Sequence, residues 1–411
     1  MSIVLQLAWR NLWRNSRRTW LTIAAIAFST TLLVAWVPIQ FGVYEIMIDG
    51  SLSIFPGHAQ IQRPGYQDKA KIRNAIDNPL VLAKNLRDSH YYKGISVRAQ
   101  GFALLSSGTR SYGAQIVGVE PDYEPDTSSI PGLIKKGKYL NNISTNEIVI
   151  GDTLAHNLGL DIGDEVTMLG SGKDGSIAAA ILTVRGIFNS GSTDLDRFLC
   201  EIPLDTFQDI FSMGKSAHTI VVVGNKLEQQ AQLISHLKQA TKNLDQLVVL
   251  GWEDLVAGLK EGIEIDKVSG FIFQGILMAI LIFSILNTFL MSILERTKEF
   301  GLMLALGSSA RRIAGLLMLE TALLTLIGLI IGTIIGSILV YWAHTVGISY
   351  PGMAEMAEQY NMPGLSRIYP QLKLINFVLG PFVIFITTNI VAWIPILRIR
   401  KLQPVEAMRT V

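Results

Sequence analysis

Four stretches of this 411-residue chain are almost without charge, and they decide most of what it can become. Residues 19–44, 268–294 and 374–397 contain no Asp, Glu, Lys or Arg, and residues 313–343 contain only Glu320. A helix needs roughly 20 apolar residues to cross the hydrocarbon core of a bilayer, and inside that core each backbone polar group must find its partner within the segment. Four transmembrane helices are therefore expected, over 19–44, 268–294, 313–343 and 373–397. The first is longer than the apolar region of a secretory signal and is followed by no small-x-small cleavage pattern, so it is expected to be retained.

Lysine and arginine beside the spans set the orientation. Arg10, Arg14, Arg17 and Arg18 precede the first span, Arg296, Lys298, Arg311 and Arg312 lie in the connector 295–312, and Arg398, Arg400, Lys401 and Arg409 lie in the tail 398–411. The whole chain nets only +2, so the block 45–267 is acidic. Both termini and the connector are expected on the cytoplasmic side. The block 45–267 and the loop 344–372 then face outward. Residues 1–18 read as an amphipathic helix, with Gln6, Arg10, Arg14, Arg17 and Arg18 on one face and Trp9 and Trp13 at headgroup depth.

The outer block is long enough to bury its own core. Cys200 is the single cysteine, so no intrachain disulfide supports it. Strand-like runs at 59–62, 114–119, 147–150, 165–169, 180–187 and 219–223 alternate with helix-like runs at 78–89, 204–213 and 227–242. The expected fold class is an α-helical membrane protein with four transmembrane helices plus a large α+β extracytoplasmic domain. Two lobes are expected in that domain, with the turn-rich stretch 127–138 between them.

The connector carries more pattern than a topogenic loop needs. Glu295 and Glu299 stand one turn apart, flanked by Arg296 and Lys298. Gly301 is expected to interrupt the helix, Gly307 fits a position just past a helix end, and Ser308 or Ser309 can start the next helix. The implied element is a short helix along the membrane face, a handle for a partner. In the third span, Gly328, Gly332 and Gly336 form one stripe at a spacing of four, where a helix of this chain or of a second subunit can approach closely. Pro381 and Pro395 imply kinks in the fourth span. Glu320, two turns into the third span, lies near the inner interface and within reach of a basic side chain.

Several chemistries are excluded. Gly170-Ser-Gly172-Lys173 is glycine-rich, but a phosphate loop requires Gly and Ser or Thr where Thr167 and Asp174 stand; it reads as a hairpin turn. The histidines are scattered singly, and Asp194 and Asp196 read as a solvated acidic turn. No catalytic constellation is visible, so the chain is not expected to be an enzyme.

Asn287 to Arg312 resembles the signature of permease subunits of the MacB/FtsX/Lol group of ABC transporters (type VII), whose pattern approximates N-x7-E-R-x-x-E-[IFL]-G-x-x-x-A-[IL]-G. Ala392 to Arg409 is similar to the closing motif of that group, with Met408 in place of the usual Leu. Glu147 to Val166 and Gly57-His-Ala-Gln-Ile-Gln62 resemble its outer domain, and the layout is most like the lipoprotein-releasing permeases. The resemblance implies a dimer of permeases, identical or homologous, on a cytoplasmic ABC ATPase dimer that binds ATP and Mg; this chain itself is expected to hold no cofactor. It further implies that Glu295, Arg296, Lys298, Glu299, Gly301, Leu306 and Gly307 couple to that ATPase.

Three functions fit the resemblance. A Lol-type permease releases lipoproteins from the membrane, a MacB-type permease relays ATP-driven motion to a periplasmic substrate, and an FtsX-type regulator controls an outer enzyme. The first requires an apolar cavity open to lipid, for which Ile39, Phe41, Val43, Ile46, Ile272, Phe273 and Ile276 are the candidates. The expected partners are thus the ATPase, a second permease copy, a lipoprotein or other periplasmic substrate, and membrane lipid; no nucleic acid is expected.

Overall fold

The computed structural model describes residues 3–89, 91–142, 145–225, 229–244, 246–353, 355 and 367–399. In chain order the helices are α1 (Ile3–Arg14), α2 (Ser16–Ile54), α3 (Pro79–Arg87), α4 (Asp152–Leu158), α5 (Thr193–Phe198), α6 (Leu204–Ile210), α7 (Gln230–Ala240), α8 (Trp252–Leu255), α9 (Leu259–Glu295), α10 (Thr297–Ala305), α11 (Ala310–Val346) and α12 (Leu374–Ile399). The strands are β1 (Ala59–Gln62), β2 (Ile76–Asp77), β3 (Tyr92–Ser107), β4 (Arg110–Val119), β5 (Ile134–Gly137), β6 (Glu147–Gly151), β7 (Glu165–Ser171), β8 (Ile177–Phe188), β9 (Leu199–Pro203), β10 (Ser216–Ala217), β11 (Thr219–Gly224) and β12 (Val248–Gly251). The chain divides into two compact units, a helical one and an α+β one that begins at Glu45.

In the helical unit, α2, α9, α11 and α12 are long and apolar enough to cross a membrane. α2 and α9 both outrun their uncharged segments, because polar residues at 45–54 and 259–267 continue the helix. The amphipathic helix expected over 1–18 instead ends at Arg14, so Arg17 and Arg18 belong to α2. α12 runs as one helix through Pro381. The glycine stripe of α11 meets α2 of the same chain. A Cβ on Gly328 would stand 2.7 Å from Ile26 Cβ, one on Gly332 2.5 Å from Ala27 O, and one on Gly336 2.9 Å from Val34 Cγ1. Backbones this close leave no room for a methyl group, and dispersion across the contact replaces the hydrophobic drive that lipid cannot supply. Thr31 Oγ1 also donates to Gly332 O at 3.1 Å.

The α+β unit is built on β3. Its first half, up to Arg98, pairs with β11 in an open sheet of order β12-β1-β11-β3. From Ala99 onward it pairs with β4 on one side, and over Ala103–Ser106 with β7 on the other. The pairings β3-β4, β4-β9, β9-β6, β6-β8, β8-β7 and β7-β3 return to their start, a closed six-stranded barrel. β5 hangs on β8 outside this ring, and β2 pairs only with β10. One buried core runs through both parts, from Ile61 and Val249 to Ile150 and Leu182. Sheet and barrel are thus two parts joined by a shared strand. The stretch 127–138, expected between lobes, carries a 3-10 turn (Ile130–Leu133) and leads into β5 at the margin.

β3 escaped the sequence reading because its interior is polar and glycine-broken. The glycines answer close approaches: a Cβ on Gly94 would lie 2.3 Å from Asp126 O, and one on Gly101 would press on the Phe207 and Phe211 rings at 3.2 Å. Its polar side chains have buried partners far along the chain. Arg98 and Glu124 are both fully buried and form a two-point pair, Nη2 to Oε1 at 2.5 Å and Nε to Oε2 at 3.2 Å. The Gln100 amide donates to His218 Nδ1 at 2.8 Å, and His218 Nε2 lies 3.0 Å from Ile72 O, so the ring is neutral with its proton on Nε2; burial lowers its pKa to about 4. Asp196, expected in a solvated turn, is buried and accepts from Ser190 N and Oγ at 2.9 and 2.7 Å.

Glu201 on β9 is buried beside this pair. It accepts from the Tyr139 hydroxyl at 2.7 Å on Oε2, while Oε1 has no hydrogen-bond partner. Burial first, and the Glu124 charge second, push its carboxyl up to about 8. Between the ordinary carboxylate range and about 8 the folded chain holds a proton that the unfolded chain has lost. This group's contribution to stability is therefore full at low pH and declines as pH rises towards about 8. Against Glu201→Gln, the wild-type unfolding midpoint should fall progressively over that window; parallel profiles in a thermal-melt series would mean that Glu201 titrates normally. At the glycine stripe, Gly332→Val should destabilise the helical unit by about 1–3 kcal/mol, the usual cost of overpacking. A detergent melt unchanged by that substitution would mean that α2 and α11 do not approach this closely.

Candidate coupling site at the charged end of the helical unit

α9 stops at Glu295 because Arg296 leaves helical geometry (φ −102°, ψ 7°), and α10 restarts at Thr297. The break is at Arg296, not at Gly301: α10 passes straight through Gly301, which is buried. α10 then ends as the residues foretold. Gly307 adopts φ +89°, its amide donates to Leu304 O at 3.0 Å, and the Ser308 amide donates to Met303 O at 2.9 Å. This is the paired hydrogen-bond pattern of a Schellman terminus. Ser309 takes the extended N-cap position of α11 but makes no side-chain cap bond. Beneath the connector, fully buried Phe300 packs with Ile293, Ile313 and Leu317, so α10 is held by its own apolar face.

The charged residues divide by direction. Arg14 pairs with Glu299; Arg18 Nη1 donates to Glu295 at 2.6 Å and its Nη2 to Ser292 Oγ at 2.9 Å. Arg296 reaches Glu320 at 2.8 Å and Glu299 at 3.4 Å, and Asn11 Nδ2 donates to the other Glu320 oxygen at 2.8 Å. Three arginines and three glutamates from α1, α2, α9, α10 and α11 thereby neutralise one another across their junction. The Arg14 hydrogen bond, helped by Arg296, holds the Glu299 carboxyl below its ordinary range. A cavity of about 150 Å³ lies among them, bounded by Asn15, Thr19, Thr288 and Phe289, with room for a few waters.

The other side of the connector faces outward. Lys298, Leu302 and Leu306 recur one turn apart, and Leu302 and Leu306 are 55% and 79% exposed. Gly307, Arg311 and Arg312 continue the exposed surface. Of the residues marked in the sequence, Arg296 and Gly301 therefore face into the bundle, Glu299 is tied to α1 and Glu295 to α2 at its margin, and Lys298, Leu306 and Gly307 face away. Leu302 was missed; its i, i+4 relation to both Lys298 and Leu306 is the signal that finds it. Beside the inward network, the rings of Trp9, Trp13 and Trp20 form an edge-to-face ladder with centroids 5.9 and 5.6 Å apart.

The candidate cavity residues are not gathered in one enclosed space. Phe41, Ile272, Phe273 and Ile276 are exposed, Ile39, Val43 and Ile46 are half-buried, and the Phe273 ring leans at a tilt against Trp36 with centroids 4.8 Å apart. Near this level α2 is tied to α9, where Tyr44 Oη donates to Asp266 Oδ2 at 2.7 Å and Gln40 donates to the same carboxylate at 3.3 Å. Phe41, Ile272 and Ile276 are thus apolar side chains left open at the surface of the helical unit. The closing motif, from residue 400 on, lies outside the described residues.

Residues 19–240 match the model of the MacB-like periplasmic core domain, and residues 271–404 match that of the FtsX-like permease C-terminal domain. The lipoprotein-releasing system transmembrane protein LolC of Neisseria meningitidis is 24% identical over 95% of this chain and 94% of its own length. The corresponding LolE of Haemophilus influenzae is 22% identical over 63% of each. Among solved structures, the periplasmic region of MacB from Actinobacillus actinomycetemcomitans aligns with a TM-score of 0.37 and 16% identity, over 52% of this chain and 94% of that one. The periplasmic-core match alone spans more than half of the sequence, and the permease match covers most of the remainder: the chain belongs to the MacB/FtsX-like permeases of ABC transporters.

Proposed function

We propose that this chain is the membrane subunit of an ABC transporter that couples ATP hydrolysis by a separate ATPase to the release of lipoproteins from the inner membrane. The observation that carries the reading is the full-length likeness to LolC, which includes the large α+β domain as well as the four helices. The chain has no phosphate loop, so ATP and Mg belong to the partner. The excess of Lys and Arg beside the spans puts both termini and α10 in the cytoplasm and the α+β domain outside. The exposed stripe of Lys298, Leu302 and Leu306 is then the surface offered to the ATPase, and the inward Arg–Glu network is what makes α10 move with α1, α2 and α11 rather than alone. Each methylene moved out of the bilayer costs about 0.8 kcal/mol, so a lipid anchor needs an apolar receiver. The open surface of Phe41, Ile272 and Ile276, completed by a second permease, supplies one.

The mechanical-relay reading is favoured by one feature, the single helix α2 that runs from the membrane segment into the α+β domain. The two readings differ in what touches that surface.

Leu302→Glu with Leu306→Glu should leave the chain folded and inserted but reduce ATPase recruitment and stimulated ATP hydrolysis by tenfold or more, the scale of losing about 1.4 kcal/mol or more of docking energy. Hydrolysis at the wild-type rate would move the docking surface elsewhere. Photo-crosslinkers at Phe41, Val43 and Ile276 should form adducts with a lipoprotein that diminish on ATP addition. Adducts confined to the neighbouring permease helix would replace lipoprotein release by the mechanical relay.

A further inference from the structure

The far end of α2 is unusually well received by the α+β unit. Ser53 O accepts from the Ser129 amide and Ile54 O from Ser128 Oγ, each at 2.9 Å. Phe55 O accepts from Arg98 Nη1, whose guanidinium also lies over the Phe55 ring at 4.3 Å from its centroid. Ser53 and Ile54 are the last residues of a 39-residue helix and Phe55 directly follows it, where the macrodipole is negative and a cation is favoured. Arg98 can serve helix and carboxylate together because its planar fork offers separate donors: Nε and Nη2 to Glu124, Nη1 to Phe55. Ser96 Oγ adds a 2.8 Å bond to Glu124 and so fixes the acceptor.

The place of this grip in the fold matters as much as its chemistry. Arg98 is the residue of β3 at which pairing with β11 ends, and Ala99 is the one at which pairing with β4 begins. Open sheet, closed barrel and helix end therefore converge on one side chain. We propose that Arg98, held by Glu124, is a positioning residue of the transport cycle: it grips the outer end of the first membrane helix where sheet and barrel meet, so that displacement of α2 moves both. The inference rests on the permease reading given above.

Two further observations support it. Replacing a buried ion pair by apolar residues of similar volume is often neutral or stabilising, so folding alone does not require this pair. Glu201 of β9, the second carboxyl facing Arg98, is kept largely neutral at neutral pH by burial and by Glu124, which leaves Arg98 committed to Glu124 and to the helix. The other groups facing Glu201 are Tyr139, which donates to it, and Glu124 itself.

The test uses the full chain with its ATPase in lipid nanodiscs, carrying nitroxides at Met47→Cys on α2 and Asp209→Cys on α6, both exposed positions. Pulsed electron-spin distances are recorded without nucleotide and after trapping with ATP and vanadate. In the wild type the distribution should be narrow and the same in both states. With Arg98→Met and Glu124→Leu together, it should broaden about twofold or shift between states, while the melting temperature changes little. If that pair does not fold, Arg98→Lys keeps the charge, loses the fork, and should show the same broadening. Variant distances identical to wild type in both states would overturn the proposal, as would a wild-type distance that itself shifts on trapping. A wild-type chain that recruits no ATPase would remove the permease reading instead, and the grip would still be judged from the nucleotide-free distances.

Discussion

A charge taken out of water must meet its opposite, and both units of this protein are organised around that demand. At one end of the helical unit, Glu320 is largely buried and is tolerable there because Arg296 and Asn11 reach it. Arg296 can do so only because the chain leaves helical geometry at that residue, and the same break sends α10 across the bundle end. Fully buried Arg98 imposes a similar discipline on the α+β unit. Its carboxylate partner must come from the turn after β4, and its remaining donor must find a carbonyl, which the end of α2 provides. In both places a pairing requirement, rather than an apolar contact, decides which elements converge.

The four membrane helices, the stop at Gly307 and the stripe of Gly328, Gly332 and Gly336 were legible from residue type and spacing, because each depends on neighbours within a turn or two. The direction in which the connector residues point was not. Glu295 and Glu299 carry the same charge and stand one turn apart, and what ties them down is Arg18 and Arg14, 277 and 285 residues away along the chain. β3 was illegible for a related reason. Nothing in the local sequence marks Arg98 and Gln100 as buried, because their partners Glu124 and His218 are brought to them only by the fold. Gly301 misled in the opposite sense: a glycine in a short helix reads as a break, yet here it is buried within one.

The division of basic residues follows from this accounting. Among the described residues at the charged end, Arg14, Arg18 and Arg296 have carboxylate partners, whereas Arg10, Arg17, Lys298, Arg311 and Arg312 have no ion pair. The paired set contributes rigidity and almost no field. The unpaired set carries the positive potential that the surroundings feel, so salt should screen attraction to anionic surfaces far more than it loosens the junction.

The closing of β7 onto β3 protects the α+β unit from wrong strand pairing. Without a disulfide, a domain of strands is exposed to wrong pairing wherever a strand edge lies open. Here the long sheet ends only in β12 and β5, each of four residues, and the barrel strands between them are paired on both sides. Edges so short offer a foreign strand few hydrogen bonds to add. Protection against aggregation that many small domains obtain from cross-links is supplied here by topology.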